Sequence, residues 1–421
     1  MFYCWTIQME TNTHRVNRSR AISLVLFTLL LIYGTLYPFS GWRWTDDSID
    51  SLILRWPQYI SRNDMLTNFI VYVPLGFFAV RLLSEYLCPI TIILITTITG
   101  VAFSFTLEFL QAFLPNRVTS ILDILLNVSG TFAGAVFSVI IGSRTSIGRK
   151  LLILRDNMFL QGYLSNLGLI ILGLWALSQL SPLVPSFDIG NLRYGLKPLW
   201  HTLNNPDLLN IYEMAIYALN IVGLGLLITT LIRPNHSVMK IFPLFVIVVI
   251  LLKIPVVSRQ ISLEAVLGVI GGLSLISFMR HFKRPFLIVS ATASFIIGFI
   301  INELYQKSDF YTQTHIFNWM PFLGQMSNIN GLADIVSDIW PFMALAYLAL
   351  LAYPSQKFCV AILGGLILSI LVFILEWMQQ SIPDRYPDIT DLFLAMFGWI
   401  LPWFYSGTQY NNVDRDPAPN Q

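Results

Sequence analysis

The chain has 421 residues, of which 55% are hydrophobic and only 11% are charged, with a formal net charge of +2. Because soluble proteins carry about 25% charged residues, this composition excludes an ordinary soluble fold and predicts a membrane protein. The balanced charge and the scattered basic residues exclude a nucleic-acid-binding protein. The cysteines and histidines lack metal-ligand spacing, so we expect no metal and no cofactor.

Apolar segments of membrane-spanning length recur along the whole chain. A spanning helix needs about 20 apolar residues, and shorter ones are tolerated where they tilt or thin the bilayer. Tyr-Pro-Phe, rather than a cleavage site, follows the first segment, so we expect that span to be retained. The sequence predicts an all-α, polytopic transmembrane helical bundle of about twelve spans, at Ala21–Tyr37, Asn68–Leu87, Pro89–Leu110, Ile121–Ile141, Leu164–Leu180, Ile211–Ile232, Ile241–Val257, Ile261–Phe278, Phe286–Ile301, Ile339–Tyr353, Phe358–Trp377 and Ile389–Tyr405.

Lysines and arginines are unevenly distributed between the two sides of these spans. With the N-terminus inside, most of them face the cytoplasm, and the clearest clusters follow the fourth and eighth spans. Since cytoplasmic loops are enriched in basic residues, we expect both termini to be cytoplasmic. The opposite face then holds three longer segments that we expect to cover or line an outward-facing surface: Ser40–Thr67, Ser181–Asn210 and Asn302–Asp338.

A polar motif occurs twice at a constant separation of 268 residues, as from Glu108 to Glu376. It comprises Glu108, Gln111, Pro115, Arg117, Asp123 and Gly130 in the first copy and Glu376, Gln379, Pro383, Arg385, Asp391 and Gly398 in the second. A weaker middle copy replaces both acidic residues, by Ile250 and Ala265, and retains Arg259, Ser262 and Gly272. We therefore predict three parallel four-helix repeats at residues 21–157, 158–284 and 285–406, between cytoplasmic segments 1–20 and 407–421.

The motif brings polar side chains to the hairpin between the third and fourth spans. Glu108 and Gln111 lie one helical turn apart and share a face. Ser120 is suited to cap the next helix, and Asp123 lies in its first turn, where the helix dipole favours a carboxylate. Asn127 follows Asp123 at i+4. The spacing predicts a hairpin that presents Glu, Gln, Arg and Asp toward an outer vestibule.

Three interpretations of these charges remain open. Intramembrane carboxylates are normally paired or functional, so ion pairs of Glu108 with Arg117 and of Glu376 with Arg385 would simply lock the hairpins. Alternatively, the arginines bind phosphate or carboxylate groups of a lipid-linked or cell-wall ligand. Proton-coupled movement is the third interpretation. Three further acids are expected to be solvated helix ends at the outer rim: Glu213, Glu303 and Asp338.

The motif residues resemble the signature of the VanZ-like family of bacterial membrane proteins. The resemblance covers all four spans of the first repeat and rests on residues 64–68, 73–77, 108–111, 115–117 and on Asp123, Asn127 and Gly130. In the last repeat, alignment on the prolines places Ile335 at the position of Asn68, and Ala395 replaces Asn127. The resemblance implies location in the bacterial inner membrane and an association with glycopeptide resistance and envelope polysaccharide loci.

These observations favour a protein that acts at the outer membrane face on cell-envelope chemistry. Its expected partners are membrane lipids and a lipid-linked saccharide or peptidoglycan precursor. One rival is a transporter or flippase, for which Asn127, Asn220 and the residues near Lys253 give limited support deep in the spans. Another is a membrane-embedded hydrolase or transferase on lipid phosphates, but no committed nucleophile is present. The candidate ligand-binding residues are Asn68, Glu108, Gln111, Arg117, Asp123, Asn127, Glu376, Gln379, Arg385 and Asp391.

Overall fold

A computed structural model describes residues 62–114, 119–142, 145–306, 313–327, 331–383 and 385–407, together with Trp56 and most of residues 20–43. The described residues form helices and no strand. In chain order the helices are α1 (Ser23–Leu36), α2 (Arg62–Leu83), α3 (Pro89–Gln111), α4 (Ile121–Ile140), α5 (Ser146–Met158), α6 (Tyr163–Leu180), α7 (Ile189–Asn204), α8 (Ile211–Thr229), α9 (Val238–Leu252), α10 (Leu263–Met279), α11 (Arg284–Leu304), α12 (Leu323–Ser327), α13 (Gly331–Ala352), α14 (Lys357–Gln379) and α15 (Ile389–Gly407).

Most of these helices match membrane-spanning dimensions. In the part of the chain that the structure describes, eight are long and apolar enough to cross a bilayer, namely α2, α3, α4, α6, α8, α11, α13 and α14. Four shorter apolar helices, α1, α9, α10 and α15, occupy the other expected positions. The helical membrane fold is confirmed, whereas the count of twelve spans stays a prediction.

Several helix boundaries differ from those expected. Helices α2 and α13 begin several residues before the apolar runs that predicted them. The apolar runs exclude the charged residues of the first helical turns. Asp64 and Asp334 nevertheless lie in the first turns, where the helix dipole stabilises a carboxylate. Helices α5 and α7 were not expected at all. Helix α7 exposes Ile189 and Trp200, a pattern typical of a helix at a membrane interface.

The chain divides into two compact units, unit 1 (residues 1–155) and unit 2 (residues 156–421). In unit 1, α4 packs against both α2 and α3. A salt bridge of 2.7 Å joins Arg20, just before α1, to Glu85, just after α2. The start of α1 and the end of α2 therefore lie at the same end of unit 1, as expected for successive antiparallel spans.

Unit 2 contains the expected middle and last repeats and has one shared apolar core. Helix α8 packs against α10 and α11, while α13 packs against α15 and α6. The core runs from Leu167 in α6 to Trp399 in α15. Within its most apolar stretch α13 is 67% buried and α14 only 22%, so α13 is central and α14 exposes a broad apolar face. The division at residue 284 stays a prediction.

Close glycine contacts join the second and fourth spans of each expected repeat. A Cβ would lie 2.1 Å from the Phe69 oxygen at Gly130, 2.9 Å from the Ala218 oxygen at Gly272 and 2.4 Å from the Ile339 oxygen at Gly398. These contacts give a common register for the helix pairs α2/α4, α8/α10 and α13/α15. The threefold repeat along the whole chain stays a prediction. In the register of these contacts Asp338, which precedes Ile339, corresponds to Asn68, whereas the proline alignment pairs Asn68 with Ile335.

Candidate functional site

The first hairpin, from Glu108 to Asp123, is held together by hydrogen bonds within the protein. Glu108 is buried, and its Oε2 accepts the backbone N–H of Ser120 at 3.4 Å. The Ser120 hydroxyl accepts the N–H of Leu122 at 3.1 Å, so Ser120 caps α4 as expected. The carboxylate of α3 is therefore bound to the start of α4 across the hairpin.

The polar residues of α4 are bonded to both neighbouring helices. Asn68 of α2 donates from Nδ2 to Asp123 Oδ1 at 2.7 Å. Asn127 donates from Nδ2 to the Ser104 hydroxyl of α3 at 3.0 Å, within the buried part of unit 1. An amide–carboxylate bond and an amide–hydroxyl bond thus tie α4 to α2 and to α3.

Gln111, the remaining described member of the motif in unit 1, points toward α1. Its Nε2 donates to the backbone carbonyl of Thr35 at 2.9 Å. Arg117 lies outside the described residues, so its expected pairing with Glu108 stays a prediction. The described polar residues of the first hairpin therefore act as ties between four helices.

The last hairpin, from Glu376 to Asp391, repeats the glutamate bond but adds a second acid. Glu376 Oε2 accepts the backbone N–H of Asp388 at 3.0 Å, and Asp388 is 268 positions after Ser120. Asp388 Oδ1 in turn accepts the N–H of Thr390 at 2.8 Å. Gln379 donates from Nε2 both to Glu376 and to Glu303 of α11, each at 2.8 Å. Glu303 was expected to be a solvated helix end rather than a member of this group.

Arg385 does not form the expected ion pair with Glu376. It donates from Nη2 to the carbonyl oxygens of Asn302 and of Tyr305, the latter at 2.7 Å. These carbonyls belong to the C-terminal end of α11, where backbone acceptors lack helical partners and the dipole favours a cation. Arg385 is buried, and its guanidinium is hydrogen-bonded to these backbone carbonyls.

Arg259 has the same type of contact in the middle repeat. Its Nε donates to the carbonyl of Ser181, the residue that ends α6. Burial lowers the pKa of the Arg259 guanidinium from its ordinary value, and the charge of Asp334 acts in the opposite direction. In unit 2 the motif arginines thus stabilise the end of the first helix of each expected repeat.

Three carboxylates of unit 2 are close enough to share a cation. One oxygen each from Glu303, Glu376 and Asp391 lies within 4.8 Å of the other two. Oxygen ligands of this kind suit Mg²⁺ or Ca²⁺. Gln379 already donates to two of the three carboxylates. The lone pairs that accept these two hydrogen bonds do not bind a cation at the same time. The structure thus brings Glu376, Gln379 and Asp391 together as expected, and it adds Glu303.

A cavity of about 250 Å³ lies beside this carboxylate group, near the ends of α6 and α11 and the beginnings of α8 and α13. Polar side chains line one part of it, and aromatic rings line another. The acidic residues in its wall, previously expected to be solvated helix ends, are Glu213, Glu303 and Asp338. Its other polar residues are Ser178, Gln179, Asn220, Asn302 and Ser337, and its aromatic residues are Trp175, Tyr217, Phe295, Phe299 and Trp340.

A buried lysine lies behind the cavity wall. Lys253 is 4% exposed. Its Nζ donates to Gln179 Oε1 at 3.3 Å and lies 5.6 Å from the centre of the Tyr217 ring. The sequence singled out Asn220, Lys253 and the three acids separately, but it did not predict a cavity, because four helices that are distant along the chain form it.

The family match lies within unit 1 and does not include the residues of this cavity. Residues 1–142 match the model of the family described as VanZ/LLP1. No curated protein and no solved structure matches the chain. The match contains the first hairpin, and the apolar helices agree with membrane insertion. The chain is a membrane protein that is VanZ-like over residues 1–142, as its motifs indicated.

Proposed function

We propose that this VanZ-like membrane protein binds a polar ligand in the cavity of unit 2 and carries or presents it at the membrane. The observation that supports this proposal is a cavity of about 250 Å³ with carboxylate, amide and hydroxyl groups in its wall. Polar groups within an apolar bundle are costly unless they have partners. Roomy polar cavities hold water or a ligand whose groups satisfy their walls.

The two hairpins are weaker candidates for the binding site. The described motif residues bond to other protein groups, as Gln111 does to Thr35 and Arg385 does to the end of α11. A phosphate or carboxylate ligand would have to displace those backbone carbonyls from Arg385. We therefore assign the last hairpin to stability and the cavity to binding. Anion binding by Arg117 stays a prediction.

The family resemblance favours a ligand from the cell envelope, such as a lipid headgroup or a lipid-linked precursor. The helix ends around the cavity support an outward position. Helices α6 and α11 finish there, whereas α8 and α13 begin there, which are the outer ends in the topology expected from the basic residues. A ligand that enters from the outer face would meet Glu213, Glu303 and Asp338 first.

Cysteine labelling tests whether the cavity is open to water. The native residues Cys4, Cys88 and Cys359 are replaced by serine, and Ser337→Cys then places a single thiol in the cavity wall. Leu366→Cys is the control, because Leu366 is exposed on the apolar face of α14. We expect a membrane-impermeant thiol reagent, added from outside, to label the cavity cysteine and not the control. A Ser337→Cys protein that is labelled from neither side contradicts the proposal.

A further inference from the structure

Unit 2 replaces an amide–carboxylate pair of unit 1 by two carboxylates. In unit 1, Asn68 donates to Asp123 at 2.7 Å. In the register set by the glycine contacts, the counterparts are two acids, Asp338 and Asp391. Two nearby carboxylates repel each other unless a proton or a cation lies between them. Asp338 also lines the cavity, so the replacement places a carboxyl group rather than an amide in the wall that a ligand would contact.

We infer that this cavity binds a small organic cation with an ammonium group, a conclusion that rests on the proposed function and names its ligand class. The wall contains three carboxylates and, among the described residues that line it, no lysine, arginine or histidine. A cleft lined by one sign of charge concentrates ligands of the opposite sign. The wall therefore selects cations over anions and neutral solutes.

The nearby cations do not change the sign of this wall. Lys253 lies behind Gln179 and Tyr217 and is held by both. Arg385 is bonded to the carbonyl oxygens at the end of α11. Neither side chain lines the cavity. These two charges stabilise the surrounding protein, and the charged residues among the described ones that line the cavity are all acidic.

The aromatic part of the wall favours an alkylated ammonium over a hydrated metal ion. Ammonium groups are attracted to the faces of tryptophan, tyrosine and phenylalanine rings. Trp340 and Phe295, which both line the cavity, meet edge to face with 5.7 Å between their ring centroids. Lys253 already lies over Tyr217, an example of the same interaction within this protein. An alkylammonium matches both parts of the wall, since its charge suits the acids and its methylene groups suit the rings.

The volume points to a ligand larger than a bare ion. The cavity measures about 250 Å³, whereas one water molecule needs about 10–15 Å³ of comparable space. A single metal ion would leave most of this volume to water. A choline-sized group, or the amine end of a lipid headgroup, would fill more of it.

Binding of choline to the full chain in lipid nanodiscs tests this inference. The matched neutral ligand is 3,3-dimethyl-1-butanol, which has the same shape without the charge. We expect saturable binding of radiolabelled choline that is competed by tetramethylammonium and not by the neutral alcohol. Asp338→Asn should weaken binding about tenfold or more, because it removes a charge-assisted contact to the ammonium group. Asp334→Asn, one helical turn away and outside the wall, should change binding by less than about twofold.

The possible results separate this inference from the proposed function. Equal competition by choline and the alcohol overturns the cationic ligand class and leaves a binding cavity. Competition by Mg²⁺ but not by tetramethylammonium overturns it in favour of an inorganic cation. If Ser337→Cys is labelled from water but choline does not bind, the ammonium inference fails alone. If neither occurs, both proposals fail. Glu213→Gln, at a separate helix of the wall, repeats the test if Asp338→Asn does not fold.

Discussion

The two hairpins of this protein have a glutamate at the same motif position, but the two glutamates have different neighbours. In each, a buried carboxylate accepts the backbone N–H of the residue that begins the following helix, from Ser120 to Glu108 and from Asp388 to Glu376. In unit 1 the neighbouring glutamine bonds to a backbone carbonyl. In unit 2 Gln379 instead bonds to two carboxylates, Glu376 and Glu303. One local motif can therefore close a hairpin and also join it to an acidic cavity, depending on what packs beside it.

The largest expected effect separates the two glutamates. Glu376→Ala leaves two donors, from Gln379 and Asp388, without that acceptor, and each unsatisfied buried donor costs about 1–3 kcal/mol. We therefore expect a loss of about 2–6 kcal/mol in the free energy of unfolding, against about 1–3 kcal/mol for Glu108→Ala. Denaturation of the purified variants in mixed micelles measures both. Equal losses would show that the added carboxylate contacts of unit 2 are unimportant for stability.

The next effect concerns Arg385 and its backbone partners. Arg385→Ala removes charged hydrogen bonds to the end of α11, so we expect a loss of about 1.5–3 kcal/mol. Because the structure has Arg385 bonded to carbonyls rather than to Glu376, the double variant with Glu376→Ala should lose close to the total of the two single losses. A double variant that regains stability would instead support the ion pair expected from the sequence.

Exchanging the Asn68 and Asp338 side chains sharpens the comparison of the units. Asn68→Asp removes the donor to Asp123 and adds a like charge, so we expect unit 1 to lose about 1–3 kcal/mol. Asp338→Asn gives unit 2 the unit 1 arrangement and should raise stability by about 1 kcal/mol, while it weakens choline binding. Melting temperatures in the same detergent report both changes. A destabilising Asp338→Asn would contradict the assigned equivalence.

The smallest expected effect compares two serine caps. The Ser120 hydroxyl accepts from Leu122, and the Ser262 hydroxyl accepts from Ala265 at 3.1 Å. Since an N-cap serine contributes about 1 kcal/mol, we expect similar losses for Ser120→Ala and Ser262→Ala. Chemical denaturation of the single variants measures them. A much larger loss at Ser120 would indicate that the cap also orients Glu108.

The middle repeat illustrates what a motif comparison misses. It lacks Glu and Asp at the motif positions, yet Glu264 is buried and accepts the N–H of Asn210 at 3.1 Å. Lys253 is placed where the other two copies have Gln111 and Gln379. A comparison at constant spacing does not detect Glu264, because this acid lies one residue before the position that matches Asp123.

The sequence alone determined the features that depend on neighbouring residues. Apolar run length predicted the membrane helices, as with residues 358–377 inside α14, and local spacing predicted the Ser120 cap. The motif residues of the first hairpin and of α2 indicated a VanZ-like region, which the family match over residues 1–142 confirms. These properties follow from helical periodicity and short-range hydrogen bonding, which a linear pattern records directly.

Only the tertiary structure decided which distant groups meet. Arg385 bonds to α11 instead of Glu376, and Glu303 joins a hairpin that lies 76 residues away from it along the chain. The cavity needs α6, α8, α11 and α13 to converge, and Asp338 takes the place of Asn68 only in the register set by Gly398. Such contacts depend on helix packing and on the small residues that permit it. Periodicity shows which face of a helix is polar, but not which helix that face meets.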